Sequence, residues 1–399
     1  MNVVALSIAL VPVVLSSIFV YNEFQYDRFN HNFHRIYRVI AESNDAGHLE
    51  QTAIVPNPLA AALGQAFSEV DQAVRLRRFP ETFYCHSGYV LEENVLYADP
   101  NILKVFSIEV ISGDPTSVLS SPQNVVISEA MSAKYFGEEN PIGHALRSKN
   151  SENFIVSGVF KDLPSTSHIA IDFLIPIDAI TGQSTESDRT EKLSSWGTSM
   201  FFTYLLLREN SSIDHLQSRM PDFLRQYCSA NTYFADSRII LQPLSDIYLN
   251  SHLPVELQVN GSMLSIYLSV SITLMVLLIA MLNYVTLATA RSMARAREVR
   301  IRKTLGASRA HLIGQLLTET VVLTLASFLL ALSLVVMLLP PLSSFVGRRF
   351  LLGTADVGAL TAIIVPLVLI IGIGAGLYPA IIVSSIDERH LRGRRKHAR

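Results

Sequence analysis

Residues Ala288 to Thr320 read ATARSMARAREVRIRKTLGASRAHLIGQLLTET and lie between two long apolar runs. From Arg291 to Ala310 seven Lys/Arg (Arg291, Arg295, Arg297, Arg300, Arg302, Lys303 and Arg309) face one acid, Glu298. A short, strongly basic loop between two apolar spans marks a cytoplasmic connection. The stretch is also patterned as helix, break, helix. Ala, Arg and Glu favour the first helix, Gly306 suits the left-handed residue that ends it, and Ser308 is placed to cap the next. Arg295, Glu298 and Arg302 share one helical face by their i, i+3, i+7 spacing. An elbow of this kind, residues 291–310, lets a soluble partner push on the membrane part. Its candidate contact residues are Arg291, Arg295, Glu298, Arg300, Arg302, Lys303, Gly306, Ala307 and Ser308.

Working outward, apolar runs of about 18 residues or more can span a bilayer. Four are present: Val3 to Tyr21, Met263 to Ala290, His311 to Leu339 before Pro340 and Pro341, and Val357 to Val383. Lys/Arg in the short flanks set the orientation. The elbow and the basic tail Arg389-His390-Leu391-Arg392-Gly393-Arg394-Arg395-Lys396 lie in the cytoplasm, and residues 22–262 and 340–356 lie outside. The first run lacks a basic leader and a small-x-small cleavage site, so it reads as an uncleaved span. The expected organisation is a span over 1–21, an extracytoplasmic domain over 22–262, spans over 263–290, 311–339 and 357–383, and a cytoplasmic tail over 384–399. The fold class is an α-helical membrane protein with four transmembrane helices. A large mixed α+β extracytoplasmic domain stands between helices 1 and 2.

Composition agrees. The chain has 399 residues, only 17% of them charged, and a mean hydropathy of +0.33. Residues 22–262 hold 17 basic and 29 acidic residues, a balance of −12, and the remainder holds 15 and 5, a balance of +10. A nucleic-acid binder would gather its basic residues on the folded domain; here that domain is acidic, and no nucleic-acid partner is expected.

The elbow segment EVRIRKTLGASRAHLIGQLLTE resembles the E-x-G-(I/L)-R-(K/R) connector of MacB/FtsX-type ABC transporter permeases, and departs from it at Arg300, where many members carry Gly. Outside the membrane, Tyr26-Asp27-Arg28-Phe29 with Arg35-Ile36-Tyr37-Arg38-Val39 resembles the start of the MacB-like periplasmic core domain. Tyr97-Ala98-Asp99-Pro100, Gly113-Asp114-Pro115, Val125-Val126-Ile127-Ser128-Glu129, Phe136-Gly137, Pro141-Ile142-Gly143 and Asp162-Leu163-Pro164 continue the likeness in order. Most of these are turn formers at strand ends. Strands are expected at Arg38 to Ala41, Val74 to Phe79, Glu81 to Cys85, Tyr89 to Ala98, Phe154 to Phe160, Thr203 to Leu207 and Ile239 to Leu241. Helices are expected at Pro56 to Phe67, at Ser128 to Tyr135 with Ser128 as cap, and at Ser212 to Tyr227. A second half of the domain is expected from about Ile171 to Ile247.

Competing chemistry finds no motif. The sequence has no G-x-x-x-x-G-K-[ST] loop to cradle ATP phosphates and no G-x-S-x-G elbow or HExxH helix. His31, His34, His48, His86, His144 and His168 are scattered, and no metal site is expected. Cys85 and Cys228 both fall in the outside domain, where an oxidising compartment permits a disulfide that spacing cannot establish. Within the spans, Asn283 and Glu319 are polar residues suited to hydrogen bonds between helices. Gly372, Gly376 and the nearby Pro379 offer a close-packing surface, for a dimer or for the chain's own bundle.

The resemblance implies a permease subunit of a MacB-type transporter in the bacterial cytoplasmic (inner) membrane. In it, ATP hydrolysis by a separate ATPase would drive an extracytoplasmic change and export of a peptide, lipid-like or drug-like substrate. The alternative it allows is an FtsX-like mechanotransmission subunit that regulates a cell-envelope partner, or a lipoprotein-release permease; the large αβ outside domain favours export. It implies no cofactor on this chain, ATP and Mg being held by the partner ATPase. The implied partners are that cytoplasmic ABC ATPase, a second permease copy in a homodimer or heterodimer, membrane lipid, and a periplasmic adaptor with an outer-membrane channel.

Overall fold

The computed structural model describes residues 2–45, 48–85, 88–149, 153–181, 194–227, 234, 237–294, 301, 305, 308–346 and 354–385. The chain forms two compact units, one of residues 1–24 with 263–399, the other of residues 25–262. The first begins with helix α1 (Asn2–Phe24).

In the second unit short strands and helices alternate. The strands are β1 (Ile36–Asp45), β2 (His48–Thr52), β3 (Ile54–Pro56), β4 (Val70–Arg78), β5 (Glu81–Cys85), β6 (Gly88–Glu92) and β7 (Val95–Ala98). They continue as β8 (Val110–Ser112), β9 (Asn124–Ser128), β10 (Ala145–Arg147), β11 (Asn153–Phe160), β12 (Phe173–Pro176), β13 (Ser199–Leu207) and β14 (Arg238–Pro243). Between them lie α2 (Leu59–Ala66), α3 (Ile102–Val105), α4 (Glu129–Phe136), α5 (Ile213–Tyr227) and α6 (Ile247–Asn250).

Among the described residues twelve strands make one mixed sheet, with the path β10-β11-β9-β12-β7-β4-β13-β1-β14. The pairs β9–β11 and β7–β12 are parallel. Side chains alternate between two faces, as the strand period requires. Along β13, Phe202, Tyr204 and Leu206 enter one core with Val74 and Leu76. Leu205 and Leu207 enter another with α2 and α5, through Leu63 and Met220. In β7, β9 and β12 both faces are covered: Leu96, Val126 and Leu174 join the first core, while Val95, Ile127 and Phe173 pack with Phe83 and Phe154. Strands buried on both faces read as unbroken apolar runs. That is why β9 and β12 carry no alternation in the sequence.

Two expectations are corrected by this sheet. Tyr89 to Ala98 is not one run of strand: β6 pairs with β5 in a separate hairpin, and β7 joins the main sheet. The stretch after Ile171 is not a separate half, because β13 inserts between β4 and β1. Gly113 and Gly158 mark a close backbone approach. A Cβ on Gly113, whose φ is +97°, would lie 2.6 Å from the Ser157 carbonyl oxygen. Helix α4 is capped by Ser128, whose Oγ accepts the Met131 N–H at 3.3 Å.

The first unit adds α7 (Met263–Ala294), α8 (Arg309–Val346) and α9 (Thr354–Ser385) to α1. Among the described residues four helices are long and apolar enough to cross a membrane. Leu10, Val13 and Val14 of α1 pack with Leu277, Val335 and Val368 of the other three. The third span does not stop at Leu339: α8 runs through Pro340 and Pro341 to Val346. Each proline removes one N–H from the ladder, a loss that membrane helices tolerate where neighbouring groups re-satisfy the backbone. Helix α1 likewise continues to Phe24, with Asn22 Nδ2 donating to the Ile18 carbonyl at 2.9 Å.

Candidate functional site

The elbow is the first candidate. Arg295, Glu298, Arg300, Arg302, Lys303, Gly306 and Ala307 lie outside the described residues. Arg291 belongs to the last turn of α7. Ser308 stands at the start of α8: its Oγ accepts the His311 N–H at 3.2 Å, and its carbonyl accepts the Leu312 N–H at 3.3 Å. Between these points the Leu305 N–H donates to the Ile301 carbonyl at 3.1 Å. Both apolar side chains are exposed. Reading the elbow by its charges missed this pair; two large apolar residues four apart in so basic a loop are the signal that could have found it.

The helices behind the elbow meet through small residues. A Cβ on Gly376 would lie 2.9 Å from Thr320 Oγ1 of α8, and one on Gly372 would lie 3.0 Å from Thr324 Oγ1. Both hydroxyls bond back to their own helix, Thr320 to Leu316 and Thr324 to Thr320, each at 2.9 Å. The threonines therefore present no unsatisfied polar group to α9, and the glycines let the two backbones approach. This face is used within the chain. Pro379 lies in α9, and Asn283 and Glu319 sit on exposed faces of α7 and α8. Glu319 is about 15 Å along the axis from the start of α8 at 1.5 Å per residue. Toward the other ends of the helices, α1, α7 and α9 enclose an apolar cleft of about 510 Å³, lined by Val13, Val20, Phe24, Leu274, Leu277 and Leu367 among others.

The outer unit holds a buried polar cluster. Asp27, just after α1, donates its N–H to the Thr166 carbonyl at 2.7 Å. Its Oδ1 accepts the His168 N–H at 3.1 Å and lies 2.8 Å from His168 Nδ1. His168 Nε2 is 2.9 Å from Tyr204 Oη. Tyr204, Arg38 and Gln242 face one another across β13, β1 and β14. Arg38 is wholly buried; it is paired with Glu256 and donates to Gln242 Oε1 and to Ser251 Oγ, both at 2.7 Å. Burial pushes the Tyr204 hydroxyl pKa far up, while the Arg38 charge pulls it down. So Tyr204 stays a neutral hydrogen-bonding group. His168 read in sequence as one scattered histidine; only the fold joins it to Asp27 and Tyr204.

A second polar group surrounds β6. Glu92 accepts from Lys134 Nζ and Tyr135 Oη, both at 2.6 Å, and Glu81 accepts from Tyr97 Oη at 2.9 Å. Among the described residues no three His, Cys, Asp or Glu are arranged to hold a metal ion. Cys85 Sγ lies 3.9 Å from the Lys134 carbonyl oxygen; Cys228 and His86 lie outside the described residues.

Four spans, a large mixed α/β domain after the first of them and a basic loop after the second define a multi-pass membrane protein of the permease class. The chain matches the MacB-like periplasmic core domain over residues 1–223 and the FtsX-like permease C-terminal domain over residues 270–387. It belongs to the MacB/FtsX-like family of ABC transporter permease subunits, multi-pass proteins of the bacterial inner membrane. The family implies a cytoplasmic ATPase partner and, in general, a dimer.

Three solved structures are similar to it. A permease-protein domain from Porphyromonas gingivalis is 23% identical, with 54% of this chain and 91% of that one covered and a TM-score of 0.46. The periplasmic region of MacB from Actinobacillus actinomycetemcomitans is 14% identical, with 54% and 92% covered and a TM-score of 0.40. The extracellular domain of the noncanonic ABC-type transporter YknZ from Gram-positive bacteria is 15% identical, with 51% and 99% covered and a TM-score of 0.37. No curated protein matches the chain.

Proposed function

We propose that this chain is the permease subunit of a MacB-type ABC exporter. A separate cytoplasmic ATPase hydrolyses ATP, holds the Mg, and pushes on the elbow around Glu298 and Gly306. The spans pass that movement to the extracytoplasmic domain, which drives a peptide, lipid-like or drug-like substrate outward with a periplasmic adaptor and an outer-membrane channel. The observation that carries this reading is the size and build of the outer domain, a twelve-stranded mixed sheet set between the first span and the other three. A domain of that size has surface enough for substrate and adaptor together. The FtsX-like and lipoprotein-release readings share the elbow and the spans. They differ in what the outer domain touches.

The sequence carries no G-x-x-x-x-G-K-[ST] loop, which supports a mechanical part for this chain. The isolated chain is expected to hydrolyse no ATP, and adding the cognate ATPase restores turnover. A strain lacking this permease then decides the substrate. Raised susceptibility to drugs or peptides, with normal lipoprotein localisation and normal cell separation, supports export. Mislocalised lipoproteins, or chained cells with idle cell-wall hydrolases, would replace it with one of the other two readings.

A further inference from the structure

The segment that leaves the first span and the segment that leads to the second are both fastened to the same loop, residues 164–170. On one side the Asp27 N–H donates to the Thr166 carbonyl, and Asp27 Oδ1 accepts the His168 N–H and lies 2.8 Å from the ring Nδ1. On the other side Gln258, with its amide turned as its neighbours require, donates to the Ser167 carbonyl at 3.3 Å and accepts the Ala170 N–H at 2.9 Å. The loop is stiffened from within, where Ser167 Oγ bonds both the N–H and the carbonyl of Ile169. Two further contacts hold one or the other segment to the rest of the domain. Tyr26 stacks on Tyr248 with ring centroids 3.3 Å apart, and Leu257 offers its carbonyl to Arg78 Nη1 at 2.8 Å. Behind them Arg38 holds Glu256, with side chains 0% and 12% exposed, and His168 reaches Tyr204 on β13.

Stability alone does not need this chemistry. A buried ion pair seldom stabilises more than an apolar pair of the same volume. Separating a buried pair such as Arg38 and Glu256 is costly, because it leaves a charge uncompensated. Placed between the two segments that reach the membrane, such an arrangement resists their separation and hands their movement to β1 and β13.

We propose that Asp27, His168, Arg38 and Glu256, joined through the loop of residues 164–170, are the positioning residues through which movement of the first two spans enters the outer domain. This rests on the reading that ATP drives that domain. Each of the four acts by holding the two membrane-reaching segments to one sheet.

The test uses the full chain with its ATPase in lipid nanodiscs, free of Cys85 and Cys228, with spin labels at Glu209 and Asn283. The distance between labels is read with and without ATP and vanadate. Two variants are compared with the unsubstituted protein: Arg38→Met combined with Glu256→Leu, which exchanges an ion pair for an apolar one, and Asp27→Asn, which keeps the shape. Both are expected to leave the outer domain folded by limited proteolysis and ATP hydrolysis within about twofold of the unsubstituted complex, while the ATP-driven distance change is lost. A folded variant that keeps the full change overturns the proposal and leaves the exporter reading intact. No change in the unsubstituted complex sinks both. If one variant unfolds the other decides, and unfolding of both makes the network structural and overturns the proposal.

Discussion

Gly372 of α9 lies against Thr324 of α8 so closely that an added Cβ would sit 3.0 Å from Thr324 Oγ1 and 3.2 Å from its Cβ. One helical turn on, Gly376 repeats the relationship with Thr320. The third and fourth spans are thereby packed closely together about 17–23 Å along α8 from its start at Arg309, at 1.5 Å per residue. Lipid gives no hydrophobic force to hold helices together, so close packing must do so; under the proposed reading, a push on the elbow would move the two spans as a pair.

The seam sets a first prediction. Gly372→Leu forces side-chain volume into a filled space and is expected to destabilise the membrane unit by about 1–3 kcal/mol. Gly314→Leu serves as the control, because a Cβ at Gly314 meets nothing within 4 Å. Thermal unfolding of both variants in detergent is the measurement. Equal melting temperatures for the two would show that α8 and α9 do not meet here.

The elbow sets a second. Glu298→Lys reverses the one acid of the loop, and Gly306→Leu places a side chain where the helix is expected to break. Each is expected to abolish co-purification with the ATPase and to reduce coupled activity to background, with the outer domain still resistant to protease. Ile301→Asp and Leu305→Asp extend the test to the exposed apolar pair. Normal pairing in all four variants would move the ATPase contact elsewhere.

A third concerns α4. Ser128 is 1% exposed and accepts the Met131 N–H through its Oγ. Ser128→Ala removes that cap and is expected to cost about 1 kcal/mol, with Thr recovering most of it. Urea unfolding followed by the near-ultraviolet signal of the outer domain reads the difference. An alanine variant as stable as the parent contradicts the capping role.

The fourth is a pH dependence. Burial pushes the Asp172 pKa up, and the Glu92 and Asp162 charges add to this against the Asn94 hydrogen bond. A carboxyl raised in the folded state binds its proton more tightly there than in the unfolded chain. The stability it contributes is therefore full below the unfolded pKa and is lost as pH rises through the folded one. Asp172→Asn, which retains a partner for Asn94, is expected to stabilise the outer domain at about pH 7 and to lose that advantage near about pH 4. Melting curves at the two values check it; a variant less stable at the higher pH would reverse the sign.

What the sequence determined by itself is what depends on local chemistry. The spans follow from length and apolarity, their direction from the Lys/Arg of the elbow and tail, and the cap of α4 from a serine before a helical run. Glu81–Cys85 was legible as a strand because its two faces differ, with Glu81 and Phe83 buried and Tyr84 exposed. The tertiary structure decided what depends on distant residues. Strands β9 and β12 are covered on both faces and so lose the alternation that marks a strand. The place of β13 between β1 and β4 is set by pairing across more than 100 residues, which no local pattern encodes. His168 carries no local signature either. Its meaning comes from Asp27, 141 residues away in the chain, because buried polar groups must find partners and only the folded sheet brings those partners within reach.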